Sequence, residues 1–250
     1  VKQNIEALQH APADQGAGYL ASVPLPPPRL APGIRLFPHQ EDGVKWLAGH
    51  ALGDDASSEH GMLADDMGLG KTLQVLCLMS LLQSRQALAP MLLVAPLSLL
   101  DNWEAEARKF FPGRFTTPLR LGGPTGRRGA TADLIRRHQW TLASYEGLRR
   151  NQLELGKVQF SLMVLDESHR IRNPSAGVTR ATLAMHADRR LALTGTPVQN
   201  RLADLWSQFD WLSPGWLGDL STFDQKHAAD GDEDALTRLR DTVGPRILRR

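Results

Sequence analysis

The chain has 250 residues, 42% of them hydrophobic, one cysteine and a formal net charge of +2. That length admits one large α/β domain or two small ones, and the composition supports an ordinary buried core. No apolar run reaches the roughly eighteen residues that a membrane span needs, the single Cys77 forms no internal disulfide, and a near-neutral balance confines any nucleic-acid site to a local patch.

The first residues carry one lysine among polar residues and lack the apolar stretch of a signal peptide. Val1 in place of Met, and an abrupt end on Ile247-Leu248-Arg249-Arg250, suggest a piece excised from a longer protein. Residues 1–33 are read as an N-terminal connector: Asn4 to His10 suits a short helix, and Val23 to Gly33 holds five prolines, which favour an extended path.

From Phe37 a helix follows, with Pro38 in its first turn and Val44, Leu47, Ala48 and Ala51 at helical spacing. Gly53 to Gly61 reads as a loop. Met62, Leu63 and Ala64 end a buried strand, and Leu73 to Leu82 forms a helix around Cys77, which suits a reducing cytoplasm. Next come a strand over Met91–Ala95, a helix capped by Ser98 or Asp101 that carries Trp103, Ala107 and Phe110, and strands at Pro118–Leu121 and Trp140–Ser144. A strand over Ser161–Leu165, a helix over Ser175–His186 and a strand over Arg189–Thr194 complete about six units, predicting an α/β fold whose parallel sheet is covered on both faces. Leu202, Leu205, Phe209 and Leu212 recur at helical spacing, and an acidic loop over Asp230–Asp234 precedes a last helix.

Two motifs carry chemistry. The stretch Met62–Thr72, MLADDMGLGKT, turns from strand to helix over Asp65–Gly70, so Gly70, Lys71 and Thr72 open a helix whose free N–H groups and positive dipole end suit a polyphosphate. Gly68 and Gly70 allow close approach, Lys71 reaches β- and γ-phosphate oxygens, and the Thr72 hydroxyl suits magnesium. Asp65 stands where the usual pattern opens with glycine. Downstream, the apolar run 161–165 delivers Asp166 and Glu167 at a strand's C-terminal end, where open α/β sheets bind ligands. One carboxylate suits the metal and its neighbour an attacking water.

Taken with FPHQEDGVKWL (37–47), LLVAPLSLLDNW (92–103), TLASYEGL (141–148), VLDESHRIRN (164–173), LTGTPVQN (193–200), Leu205-Trp206 and the terminal Leu248-Arg249-Arg250, these motifs form an ordered series. It resembles the first RecA-like lobe of the Swi/Snf-type ATPases, the chromatin-remodeller-like branch of helicase superfamily two, over residues 34–250. Asp66 stands where that family usually has Glu, and Ser168 where it usually has Ala.

The resemblance implies a RecA-like P-loop lobe with a helical C-terminal extension, acting with ATP and Mg2+ as part of a DNA-dependent ATPase that translocates on double-stranded DNA. Gln40 is expected to bind adenine, although a surface helix amide is the alternative. Asp66, Met67, Gly68, Leu69 and Gly70 would form the phosphate loop, with Lys71 and Thr72 on phosphates and metal, Asp166 on the metal and Glu167 on water. His169 would couple toward Thr194, Gly195 and Thr196, or serve structure alone. Pro96, Leu97, Ser98, Ser144 and Tyr145 would touch one DNA strand through its phosphates, without sequence choice. Arg127, Arg128, Arg136 and Arg137 form either a basic patch or a solvated face, and the six tryptophans are read as packing residues. A second RecA-like lobe is the expected partner, and a bacterial cytoplasm or a nucleus the expected location. An RNA helicase lobe and a non-catalytic scaffold are the alternatives; LTGTPVQN, where RNA helicases usually show a Ser-Ala-Thr segment, argues against the first.

Overall fold

A computed structural model describes residues 29–52, 60–84, 90–124, 126–127, 129–195, 202–227 and 233–250. The expected helix over 4–10, most of the loops over 53–61 and 230–234, Arg128 and the segment 196–200, with Thr196, lie outside the described residues.

Seven parallel strands make the main sheet: β1 (His60–Leu63), β2 (Met91–Ala95), β3 (Leu119–Leu121), β4 (Trp140–Ser144), β6 (Leu162–Asp166), β8 (Arg190–Leu193) and β9 (Ile247–Leu248). Their spatial order is β3-β4-β2-β6-β8-β1-β9. Strands covered on both faces read as unbroken apolar runs, and every residue of MLLVA in β2 and LMVLD in β6 is buried.

Alternation along each strand divides the core in two. Leu63, Leu93, Val164 and Leu191 join the layer under α1 (Pro38–Leu52), α2 (Lys71–Ser84) and α3 (Leu100–Phe110). Met62, Leu92, Leu165 and Ala192 face the layer with α5 (Tyr145–Arg150), α7 (Gly177–Leu183) and α8 (Leu202–Leu212). In α2 every residue from Leu73 to Leu82 is buried, including Cys77, whose thiol burial pushes up to about 12. The C-terminal part is helical, with α9 (Leu220–His227) and α10 (Glu233–Val243) following α8. Among the described residues no helix is long and apolar enough to cross a membrane.

The α/β architecture and its parallel sheet match the expectation, as do the two helical layers. Several details differ. Neither Ser98 nor Asp101 caps α3: a 3-10 turn over Leu97–Leu99 runs into the helix behind Leu99, and Asp101 pairs with Arg120 instead. The basic loop after β3 contains α4 (Ala132–Arg136), capped by Thr131 Oγ1. The helix expected over 175–186 stops at Leu183, and β7 (His186–Ala187) pairs with β5 (Gln159–Phe160) in a small second sheet. Short helices follow β4, namely α5 and α6 (Gln152–Leu155).

The C-terminal residues provide an unforeseen edge strand. β9 pairs with β1, the Ala64 amide donates to the Leu248 carbonyl at 2.7 Å, and the Asp66 amide donates to that of Arg250 at 3.2 Å. The Arg250 guanidinium then grips the fully buried Asp65 carboxylate with two bonds, Nε to Oδ1 at 3.1 Å and Nη2 to Oδ2 at 2.7 Å. Nη2 also reaches Gln74 Oε1, and Nη1 the His39 carbonyl. Asp65 therefore occupies the usual glycine position as half of a buried ion pair that ties the loop to the chain's far end. Removing one partner of such a pair strands the other charge. Arg250→Met is expected to lower the unfolding free energy in urea by about 3 kcal/mol or more, and adding Asp65→Asn to restore part of it.

Candidate nucleotide-binding site

The loop after β1 turns on two glycines in the left-handed region, Gly68 at φ +89° and Gly70 at φ +77°. Lys71 and Thr72 follow as the first residues of α2, a 14-residue helix with no acidic side chain in its first turn. Its first N–H groups and dipole thus face the loop. Lys71 Nζ folds back over that loop, donating to the carbonyls of Asp65 at 2.6 Å and Asp66 at 3.1 Å. Gln40 braces the other side: its Oε1 accepts the Phe37 amide at 3.0 Å and its Nε2 lies 3.4 Å from the Leu69 carbonyl. A Cβ on Gly70 would overlap Gln40 Nε2, which is why this position must be glycine twice over. Met67 at the loop tip is 86% exposed, and Asp66, also exposed, lies 3.8 Å from Arg249.

Sheet register brings the acidic pair to the same place. Leu63, one residue from the loop, and Asp166, the last residue of β6, are both register partners of Leu193 on β8. Two strand spacings, about 10 Å, separate them. Lys71 accordingly exerts an electrostatic pull on both Asp166 and Glu167.

The two carboxylates live in different surroundings. Burial raises the Asp166 carboxyl above the ordinary range, while Trp103, whose indole N–H donates to Oδ2 at 2.8 Å, opposes that shift. Its Oδ1 accepts the Glu167 amide at 2.9 Å. Glu167 sits at φ +53° and ψ 52°, the only non-glycine residue with positive φ among those described. A side chain there carries strain of about 1–3 kcal/mol, of the kind concentrated at functional sites. His169 Nδ1, 3.2 Å from Glu167 Oε2, holds the glutamate below its usual range.

Magnesium takes one or two carboxylates together with substrate phosphate oxygens. Thr72, at the head of α2, and Asp166, whose oxygens each keep a lone pair beyond their protein donors, fit that donor set.

The remaining predicted residues divide. Leu97 is 52% exposed and Ser98 is exposed, whereas Pro96 is buried. Leu97 and Ser144 line a groove of about 720 Å³ with Gly122, Gly123, Arg127 and Arg150. Ser144 Oγ caps α5 by accepting the Gly147 amide. Tyr145 points inward: its hydroxyl donates to the carbonyls of Asp166 at 2.8 Å and Glu167 at 3.4 Å. Thr194 is buried, its amide on the Leu63 carbonyl, and Gly195 is half-buried beside it. The Trp103 indole N–H and the Arg250 guanidinium reach across the fold to Asp166 and Asp65, partners that nothing in their own sequence neighbourhood signals.

Residues 39–250 match the family model described as the SNF2-related domain. The chain is 37% identical to the Zorya protein ZorD of Escherichia coli O139:H28, over all of this chain and 26% of that protein. It is 36% identical to TATA-binding protein-associated factor 172 of Homo sapiens, over 72% of this chain and 10% of that one. The curated relatives it matches are thus several times longer than the matched segment. Among solved structures, the Sulfolobus solfataricus SWI2/SNF2 ATPase core in complex with dsDNA superposes with a TM-score of 0.75 at 34% identity, over 90% of this chain and 46% of that one.

The two loop glycines are expected to differ on substitution. Both need a left-handed backbone, which costs an alanine about 1–2 kcal/mol, but only Gly70 abuts a side chain. Gly70→Ala is expected to lower stability in chemical denaturation more than Gly68→Ala does.

Proposed function

We propose, on the premise that the chain belongs to the SNF2-related domain family, that it is the ATP-binding motor lobe of a DNA-dependent ATPase that translocates on double-stranded DNA. The observation that carries this reading is the convergence of Lys71 and the Asp166–Glu167 pair at the C-terminal ends of β1 and β6, the two strands that flank β8.

In this reading the first turn of α2 receives the β- and γ-phosphates on its N–H groups, and Lys71 leaves the loop carbonyls to neutralise phosphoryl oxygens. Thr72 and Asp166 would hold a magnesium ion, which would supply charge stabilisation for the phosphoryl group. Glu167, held as a carboxylate beside His169, orients the water that attacks the γ-phosphorus. Gln40 keeps an amide hydrogen for adenine while it braces the loop. A second RecA-like lobe contributes the arginines that stabilise the transferring phosphoryl group, a contribution of about a thousandfold or more.

Duplex DNA lies along the groove beside Leu97, Ser98 and Ser144, with Arg127 and Arg150 near its phosphates. The likeness to an ATPase core solved with dsDNA supports that choice over RNA. The protein works in a bacterial cytoplasm or in a nucleus.

Lys71→Ala in the intact protein is expected to abolish ATP hydrolysis and leave the circular dichroism spectrum unchanged. Residues 1–250 alone are expected to hydrolyse ATP very slowly; brisk turnover by this chain, stimulated by duplex DNA, contradicts the need for a second lobe.

A further inference from the structure

Both segments that border the groove lead, within a few residues, to a side chain that holds the acidic pair. Beyond β2, Pro96 to Ser98 pass through the 3-10 turn into α3, and Trp103, one turn into that helix and almost wholly buried, donates to Asp166 Oδ2. Beyond β4, Ser144 caps α5 and the very next residue, Tyr145, donates to the Asp166 and Glu167 carbonyls. The two segments leave the sheet side by side, because Ala95 and Ser144 are register partners.

The grips differ in what they fix. Trp103 acts on the Asp166 side chain, and Tyr145 on the main chain of the strained turn at Glu167. Both bonds lie in the interior, where an unmade partner is costly. Movement of either segment is therefore transmitted to the pair. Gly122, which lines the groove, is so close to Ser144 that a Cβ would overlap its hydroxyl. A ligand pressing there bears directly on the residue before Tyr145.

We propose that Trp103 and Tyr145 are positioning residues that couple a DNA strand in the groove to the geometry of Asp166 and Glu167, an inference that rests on the functional reading above. Both side chains are buried and spend their donors on the acidic pair, so Tyr145 is placed behind the groove and not, as expected, on a DNA strand. Their effect lies in the interaction between the two sites, and linkage makes that effect reciprocal.

The test measures this coupling by binding, in the intact protein, with a fluorescent non-hydrolysable ATP analogue plus magnesium and a duplex oligonucleotide. Each Kd is determined with and without the other ligand. In the unmodified protein, each is expected to tighten the other by the same factor, about fivefold or more. In Tyr145→Phe and Trp103→Phe, the separate Kd values are expected to stay within about threefold of the original while that factor falls by about threefold or more. A thermal melt of each variant accompanies the titrations, and the two variants perturb different contacts, so a folding defect in one leaves the other to decide. Unchanged coupling in a folded variant of each kind, or a factor of one in the unmodified protein although both ligands bind, overturns the inference. Failure of the unmodified protein to bind either ligand overturns the functional reading beneath it.

Discussion

The register of β8 with its two neighbours governs the site. Leu193 faces Leu63 on one side and Asp166 on the other, so the phosphate loop and the acidic pair, about a hundred residues apart in sequence, emerge about 10 Å apart. A slip of one residue in either pairing would turn every side chain of that strand to the opposite layer, against neighbours it does not fit. Core packing thus enforces the arrangement: the alternation that sends Leu63 and Leu191 to one helical layer and Met62 and Ala192 to the other also fixes where Lys71 and Asp166 begin.

Around that frame the chain spends polar contacts in unusual places. Asp65 is wholly buried against Arg250, and Gln74 joins the same cluster. Asp166 is buried against an indole. Glu167 is kept in a backbone conformation that glycine would adopt more readily. Such groups weaken a fold taken in isolation. Here each anchors one wall of the site: Arg250 and Gln40 hold the glycine loop from two sides, and Trp103 and Tyr145 hold the acids.

Most of the frame is legible in the sequence. The unbroken apolar runs of β2 and β6 and the Gly70-Lys71-Thr72 helix start are local signals, and each was read close to its place. What stayed hidden depends on distant partners. Ile247 and Leu248 are too few to signal a strand and become one by pairing with β1. Asp101 looks like a cap and is drawn instead to Arg120. Tyr145 reads as a DNA-contacting residue until β6 supplies carbonyls for its hydroxyl in the interior. Asp65 reads as a departure from a motif until Arg250 arrives from the other end of the chain.

The central claim is that one site holds a triphosphate with its metal. Isothermal titration of a non-hydrolysable ATP analogue into the intact protein, with and without magnesium, tests it most directly. The account predicts one site per chain, tighter with magnesium than with a chelator and competed by ADP. Binding that is indifferent to magnesium, or that survives loss of the Lys71 ammonium and the Asp166 carboxylate together, would contradict it.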